Sequence, residues 1–173
     1  MSVLVAYATA HGSTKQVAAR IAERLRVAGL VVDLRAADDV VDTSTYTAVV
    51  LGSAVHNGRW LTPASALLAR IGERPAGQLW LFSVCTVGET SSFLGPRASR
   101  LARGRRPLPE EIARTGAPHR YFAGVIERSH WNVLGRPFFL VTGGSYGDHR
   151  DWEDIERWSD RIAEAQGTQL PES

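Results

Sequence analysis

The residues with the clearest chemical potential come almost at the start of the chain. Thr9-Ala10-His11-Gly12-Ser13-Thr14 sets three hydroxyls and a glycine between the apolar run Val3–Ala8 and a helix-patterned stretch from Lys15. A strand that turns through such a loop into a helix gathers unpaired backbone N–H groups at the positive end of the helix dipole, where a phosphate is held. Two common phosphate loops are excluded by residue order. A nucleoside-triphosphate loop needs an earlier glycine and a lysine ahead of the hydroxyl; here Lys15 follows Gly12-Ser13-Thr14. A dinucleotide loop needs GxGxxG, of which only Gly12 is present. What remains is a nest for one phosphate monoester, formed by the Thr9, Ser13 and Thr14 hydroxyls with backbone N–H groups. An ordinary helix cap would use only one such hydroxyl.

Other reactive side chains point away from metal or thiol chemistry. Cys85 is the only cysteine, and His11, His56, His119, His130 and His149 fall singly, without the spacing that puts two imidazoles on one metal. A lone cysteine at a strand end is more often a small buried apolar residue than a redox group.

The elements that must position the nest follow from hydrophobic periodicity. Val17, Ile21, Leu25 and Ala28 repeat at helical spacing up to the stop signal Gly29. Leu30–Leu34 and Tyr46–Leu51 read as the second and third strands, joined by a polar connection over Asp38–Thr45. The third strand is expected to end in the loop Gly52-Ser53-Ala54-Val55-His56-Asn57-Gly58-Arg59-Trp60. Thr62-Pro63 reads as a cap and first turn of a helix running to about Arg74. Leu79–Val84 is the fourth strand, opening into Cys85-Thr86-Val87-Gly88-Glu89-Thr90. A broken helix is expected between Pro96 and Arg114, restarting at Pro109-Glu110-Glu111. Tyr121–Ile126 is the fifth strand, followed by an irregular insertion over Glu127–Arg150 and a last amphipathic helix from Asp151. Strands alternating with helices predict a doubly wound five-stranded parallel sheet, order 2-1-3-4-5, of the flavodoxin-like α/β type. Its ligand belongs at the carboxyl ends of strands one, three and four, where the loops Thr9–Thr14, Ser53–Trp60 and Val84–Thr90 fall.

Composition bounds the rest. The 173 residues, 44% hydrophobic, suit one α/β domain, and no second composition regime appears. Neither a secretory leader nor an apolar span long enough for a bilayer is read in the sequence, so a cytoplasmic protein is expected, at most peripheral at the inner face of a membrane. Formal charge is +2, and of the 20 lysines and arginines only Lys15 is a lysine. Nothing in this pattern calls for nucleic acid.

At the level of motifs the chain resembles the flavodoxin superfamily, through the opening AYATAHGST, the second loop LGSAVHNGRW and the overall length. Its tail TGGSYGDHRDW resembles more closely the quinone-dependent protoporphyrinogen IX dehydrogenase branch. The resemblance runs from Met1 to about Ala165. It implies FMN, with phosphate on Thr9, His11, Gly12, Ser13 and Thr14 around Ala10, and the isoalloxazine between Ser53–Trp60 and Val84–Gly88; a deazaflavin would fit the same nest. Asn57-Gly58 readily takes positive φ, so its peptide can turn toward a flavin N5. Backbone groups of Ser53, Ala54, Val55, His56, Asn57, Gly58 and Arg59, and of Val84, Cys85, Thr86, Val87 and Gly88, would serve the pyrimidine edge. Trp60 either covers one ring face or packs under the following helix. Electron-carrying flavodoxins are typically acidic and often place an aromatic in the third loop; this chain is basic and has none there.

The branch implies a porphyrinogen as electron donor and a quinone as acceptor. Arg59 and the arginines from Arg97 to Arg106 would meet propionates or anionic headgroups, or else form a solvated face. Trp131–Val141 would dip into the membrane interface, although Pro137 and weak helical periodicity match the branch's insert only loosely. A flavodoxin carrier docking on a redox protein is the alternative, and a flavin-free binding or signalling module a further one. A receiver domain would need an acidic cluster after strand one and an aspartate ending strand three, where this chain has Thr9-Ala10 and Gly52-Ser53.

Overall fold

The computed structural model describes residues 2–72, 74, 75, 77–85, 101, 108–126 and 147–167. The expectations for Thr86–Gly88, for the arginines between Arg97 and Arg106 and for 127–146 lie outside the described residues.

Alternation along the first strand dictates two apolar layers. In β1 (Ser2–Ala8), Val3 and Val5 face one side and Leu4, Ala6 and Ala8 the other. The first side is covered by α1 (Ser13–Val27) through Val17, Ile21 and Leu25, and by Ile155, Trp158 and Ile162 of the C-terminal helix Trp152–Gly167. The second is covered by Leu67, Leu68 and Ile71 of α2 (Thr62–Ile71) and by Ile112 of the short helix α3 (Glu110–Ala113); the C-terminal helix is α4. With helices on both faces, the inner strands are buried over most of their length and there read as apolar runs.

The remaining strands are β2 (Val31–Ala36), β3 (Ala48–His56), β4 (Arg59–Trp60), β5 (Leu79–Cys85) and β6 (His119–Ala123), with a separate pair β7 (Val125–Ile126) and β8 (Gly147–Asp148). The long strands run parallel in the order β2-β1-β3-β5-β6, with β4 antiparallel on β3. This is the expected order 2-1-3-4-5 once the two-residue β4 is set apart, and the architecture is the doubly wound flavodoxin-like fold.

Three expected boundaries move, each for a visible reason. The third strand does not stop at Leu51. It continues through His56, because Gly52 lets the Phe82 ring pack where a Cβ would stand 1.9 Å from its Cζ, and because the Ser53 hydroxyl is satisfied by Leu61 N–H and the Ala54 carbonyl. Thr62 does not cap α2: Leu61 is the cap residue, Thr62-Pro63 open the first turn, and the helix ends at Ile71 because Gly72 takes φ 65°. The fifth strand breaks at Gly124, where a Cβ would lie 2.8 Å from Val84 Cγ1, and Val125–Ile126 pairs instead with Gly147–Asp148.

The C-terminal helix docks through aromatic rings. Trp158 meets Trp80, Phe82 and Phe122 at centroid separations of 6.1, 6.0 and 5.6 Å, all near edge-to-face. Asp151 caps the helix by accepting Asp154 N–H at 2.9 Å. The buried Asp154 carboxylate takes both Nε and Nη2 of Arg120 on β6, tying α4 to the sheet edge.

Candidate functional site

The nest forms where β1 enters α1. Gly12 occupies the N-cap position with φ 88°, a left-handed geometry that favours glycine, and no side chain caps the helix. Thr9 Oγ1 accepts Gly12 N–H at 2.9 Å, folding the loop back on itself while leaving the Thr9 hydroxyl proton to donate outward. Gln16 N–H is the first to bond back along the helix, to the Gly12 carbonyl at 3.1 Å. The N–H groups of Ser13, Thr14 and Lys15 therefore lie outside the helical ladder and share one helix end. Thr14 Oγ1 is fully buried and has no hydrogen-bond partner among the described residues. A buried hydroxyl without a partner costs about 1–3 kcal/mol, so its persistence fits a ligand oxygen bound at this helix end. An ordinary N-cap leaves no such orphan. Ala10 and His11 form the exposed tip of the loop.

The second loop is a β-hairpin rather than an irregular segment. Val55 pairs with Trp60 and His56 with Arg59, around Asn57 at φ 51° and Gly58 at φ 75°. Positive φ at both central residues is the two-residue turn that the right-handed strand twist favours, and Asn-Gly is its preferred sequence. His56, Asn57, Gly58 and Arg59 are exposed at the tip, while Ala54 and Val55 are half-buried and Ser53 is buried. Trp60 does not offer its face: it is 5% exposed, packs with Ala64 and Leu67 under α2, and donates its indole N–H to Ser83 Oγ at 2.8 Å. Of the two readings of this tryptophan, packing beneath the helix is the one seen.

The third loop is described as far as Cys85. Val84 is buried in the layer under α1 and α4, and Cys85 is half-buried. Strand register brings the three loops to one edge of the sheet, since Ala8 pairs with Ser53 and Ala54 with Val84. Thr9–Thr14, the hairpin and the end of β5 thus form one C-terminal rim, where doubly wound folds bind ligands.

Two neighbours of the nest escaped the sequence reading. Gly124 stands so close that a Cβ there would lie 3.1 Å from Ser13 Oγ, which brings the β6–β7 junction against the phosphate loop. Arg150 donates to Gln16 Oε1 in the first turns of α1, binds Asp148 through Nε and Nη2, and lies 4.4 Å over the Trp152 ring. The Arg150 guanidinium holds the Asp148 carboxyl below its ordinary range. The signal for Gly124 was a glycine interrupting YFAGVI; for Arg150 no local pattern marks the contact, which spans 134 residues. A separate cleft of about 300 Å³, lined by Ser65, Leu68, Gly72, Arg74, Leu79 and Glu111, opens beside the start of β5, at the other end of that strand from this rim.

Among the described residues no group of histidine, cysteine and carboxylate side chains is arranged to hold a metal, and no helix is long and apolar enough to cross a membrane.

Comparisons with known proteins bear on the fold and the family. A search of curated protein sequences finds no match. Among solved structures, a flavodoxin from the domain Archaea superposes with TM-score 0.57 at 16% identity, over 95% of this chain and 97% of its own. Oxidised flavodoxin 2 from Bacillus cereus superposes with TM-score 0.58 at 18% identity, over 95% and 99%. Rubredoxin oxygen:oxidoreductase from Desulfovibrio gigas gives TM-score 0.61 at 19% identity over 98% of this chain, which spans only 37% of that protein. At these identities the likeness is one of fold. Residues 4–139 match the family described as flavodoxin domain, and a match over most of the chain places this protein in the flavodoxin domain family.

Proposed function

We propose that this protein is an FMN-dependent oxidoreductase of the flavodoxin-like type. The observation that carries the reading is the buried, unpartnered Thr14 hydroxyl in the first turn of α1, beside the three N–H groups left outside the helical ladder. A phosphate monoester dianion satisfies these donors together, and the helix dipole supplies the countercharge. FMN, when bound, supplies the redox chemistry, while the protein supplies position and electrostatics.

The roles of this chain's residues follow from where they stand. Thr9 shapes the loop with one lone pair and donates outward with its proton; Gly12 supplies the turn, and Ser13, Thr14 and Lys15 supply backbone N–H donors. The Asn57-Gly58 peptide, held at positive φ on an exposed hairpin tip, would offer its backbone groups to a ring nitrogen at the rim. Trp60 is folded under α2, so the hairpin does not stack this tryptophan over a ring held at the rim. The packed-away Trp60, with the basic composition, supports transfer from a small-molecule donor such as a porphyrinogen to a quinone. Anaerobic incubation of the FMN-loaded protein with protoporphyrinogen and a soluble quinone tests this finer assignment; oxidation no faster than with free FMN refutes it.

A second reading is a one-electron carrier that docks on a redox protein, favoured by membership of the flavodoxin domain family. A stepwise redox titration separates the two. Two well-resolved one-electron steps support the carrier, and a single two-electron step supports the oxidoreductase. A deazaflavin is a further occupant of the same nest, tested by competition against FMN.

A further inference from the structure

The described site contains a buried polar chain that the flavin reading does not use. Trp60 on β4, Ser83 on β5 and His119 on β6 lie on the α2 side of the sheet and are joined in sequence: Trp60 Nε1 to Ser83 Oγ at 2.8 Å, and Ser83 Oγ to His119 Nε2 at 2.9 Å. Ser83 is fully buried and Trp60 nearly so, whereas His119 is half-buried at the start of its strand, with Tyr121 edge-on at a centroid distance of 4.5 Å.

Donor and acceptor counting fixes the first bond of this chain. An indole N–H can only donate, so Ser83 Oγ is the acceptor for Trp60. Ser83 Oγ keeps a second lone pair, so the bond to His119 runs with the imidazole tautomer: when the ring carries its proton on Nδ1, the Ser83 proton is donated to His119 Nε2. Without that acceptor the serine hydroxyl is free to rotate toward backbone carbonyls, and its alignment on the indole is lost.

The position of the chain gives it a consequence. Trp60 is the base of the hairpin whose tip is Asn57-Gly58, and Ser83 lies two residues before Cys85, at the end of β5. The Trp60–Ser83 bond is therefore a tie between the two loops that flank the slot for the flavin ring. We propose that His119 is a positioning residue: by accepting from Ser83 it fixes the serine rotamer that holds Trp60, and so sets the spacing of the hairpin and the β5 end. The inference rests on the flavin reading for its effect on FMN, and on the described residues alone for the tie itself.

Three full-length variants test it: His119→Leu and Ser83→Ala, which break the chain, and His119→Gln, which returns an acceptor near the position of Nε2. The first readout uses the apoprotein. The Trp60 indole N–H resonance, assigned with Trp60→Phe, is expected to shift and to exchange faster in H119L and S83A, and to stay near its parent position in H119Q. The Trp80 indole, which donates to the Gly77 carbonyl at 2.9 Å, serves as the folding control and should not move. In the parent protein, ring nitrogen shifts should report His119 protonated on Nδ1; a ring protonated on Nε2 overturns the proposal without any variant. The second readout is FMN affinity, expected to weaken about tenfold in H119L and S83A and to be retained in H119Q, the scale of one lost hydrogen bond. An unmoved Trp60 indole in H119L overturns the proposal, as does a moved indole with unchanged FMN affinity. Failure of the parent chain to bind FMN refutes the flavin reading instead, and the indole signal then still decides whether His119 holds Trp60.

Discussion

Replacing Thr14 with valine should move apoprotein stability and FMN affinity in opposite directions. The two side chains have nearly the same shape, so the change removes a hydroxyl and little else. In the structure that hydroxyl is fully buried and has no partner among the described residues. Burying it unpaired costs about 1–3 kcal/mol, and removing it should return about 1 kcal/mol to the folded apoprotein, a rise in Tm of about 2–4 °C for a chain of this length. When a phosphate is bound the same hydroxyl donates to a charged oxygen, worth about 1.5–3 kcal/mol. Its loss should weaken FMN binding by about 10- to 150-fold. Thermal unfolding of the apoprotein and FMN fluorescence titration measure the two halves separately. A T14V protein that is less stable than the parent, or that binds FMN as tightly, refutes the assignment of this hydroxyl to the phosphate.

The other expectations concern the frame around the site. Gly52→Ala should cost about 1–3 kcal/mol in urea unfolding, since the new Cβ would stand 1.9 Å from Phe82 Cζ, and the double variant with Phe82→Leu should recover part of the loss. Arg120→Met removes both close hydrogen bonds from the Asp154 carboxylate, itself 3% exposed, and leaves it only Arg157 Nη2 at 3.6 Å, so it should cost up to about 3 kcal/mol; pairing it with Asp154→Leu should restore much of that, and a harmless single variant would contradict the account. Asp33, Asp42, Asp148 and Asp160 are each held below the ordinary 3.8, chiefly by the Tyr46 hydroxyl, the Ser44 hydroxyl, the Arg150 guanidinium and the Arg24 guanidinium. Groups whose native pKa is depressed stabilise fully above their unfolded pKa and lose that contribution as pH falls through the native one. Urea midpoints should therefore be flat above about pH 5 and fall below about pH 4, and stability that rises on acidification would contradict the assignment.

Much of this architecture is written in local pattern. Alternating apolar residues in Val3–Ala8 fix two buried faces, and the helical spacing of Val17, Ile21 and Leu25 fixes what covers one of them, so strand order and the place of the ligand rim follow from chain connectivity. The nest was legible for the same reason, because its strand, loop and helix are contiguous. The hairpin was not. Glycine and polar residues in Gly52–Gly58 read as a loop, yet Gly52 is there to admit the Phe82 ring from a neighbouring strand and Ser53 to receive Leu61 N–H. Trp60 could not be placed by sequence because its partner is Ser83, 23 residues away inside an apolar run. A hydroxyl within Leu79–Val84 is, in hindsight, the sign that a buried donor required it. Contacts such as Arg150 with Gln16 leave no such sign, since an exposed glutamine on a first helical turn has many equivalent partners.

The central claim is that the turn from β1 into α1 holds the phosphate of a flavin mononucleotide, and competition between FMN and riboflavin tests it most directly. The two ligands share the isoalloxazine and differ by the phosphate alone. Titrating each with apoprotein and following flavin fluorescence should give stoichiometric, tight quenching by FMN and binding weaker by at least about 100-fold for riboflavin, the worth of several charge-assisted hydrogen bonds. Equal affinity for the two ligands, or no quenching of FMN at all, would contradict the account.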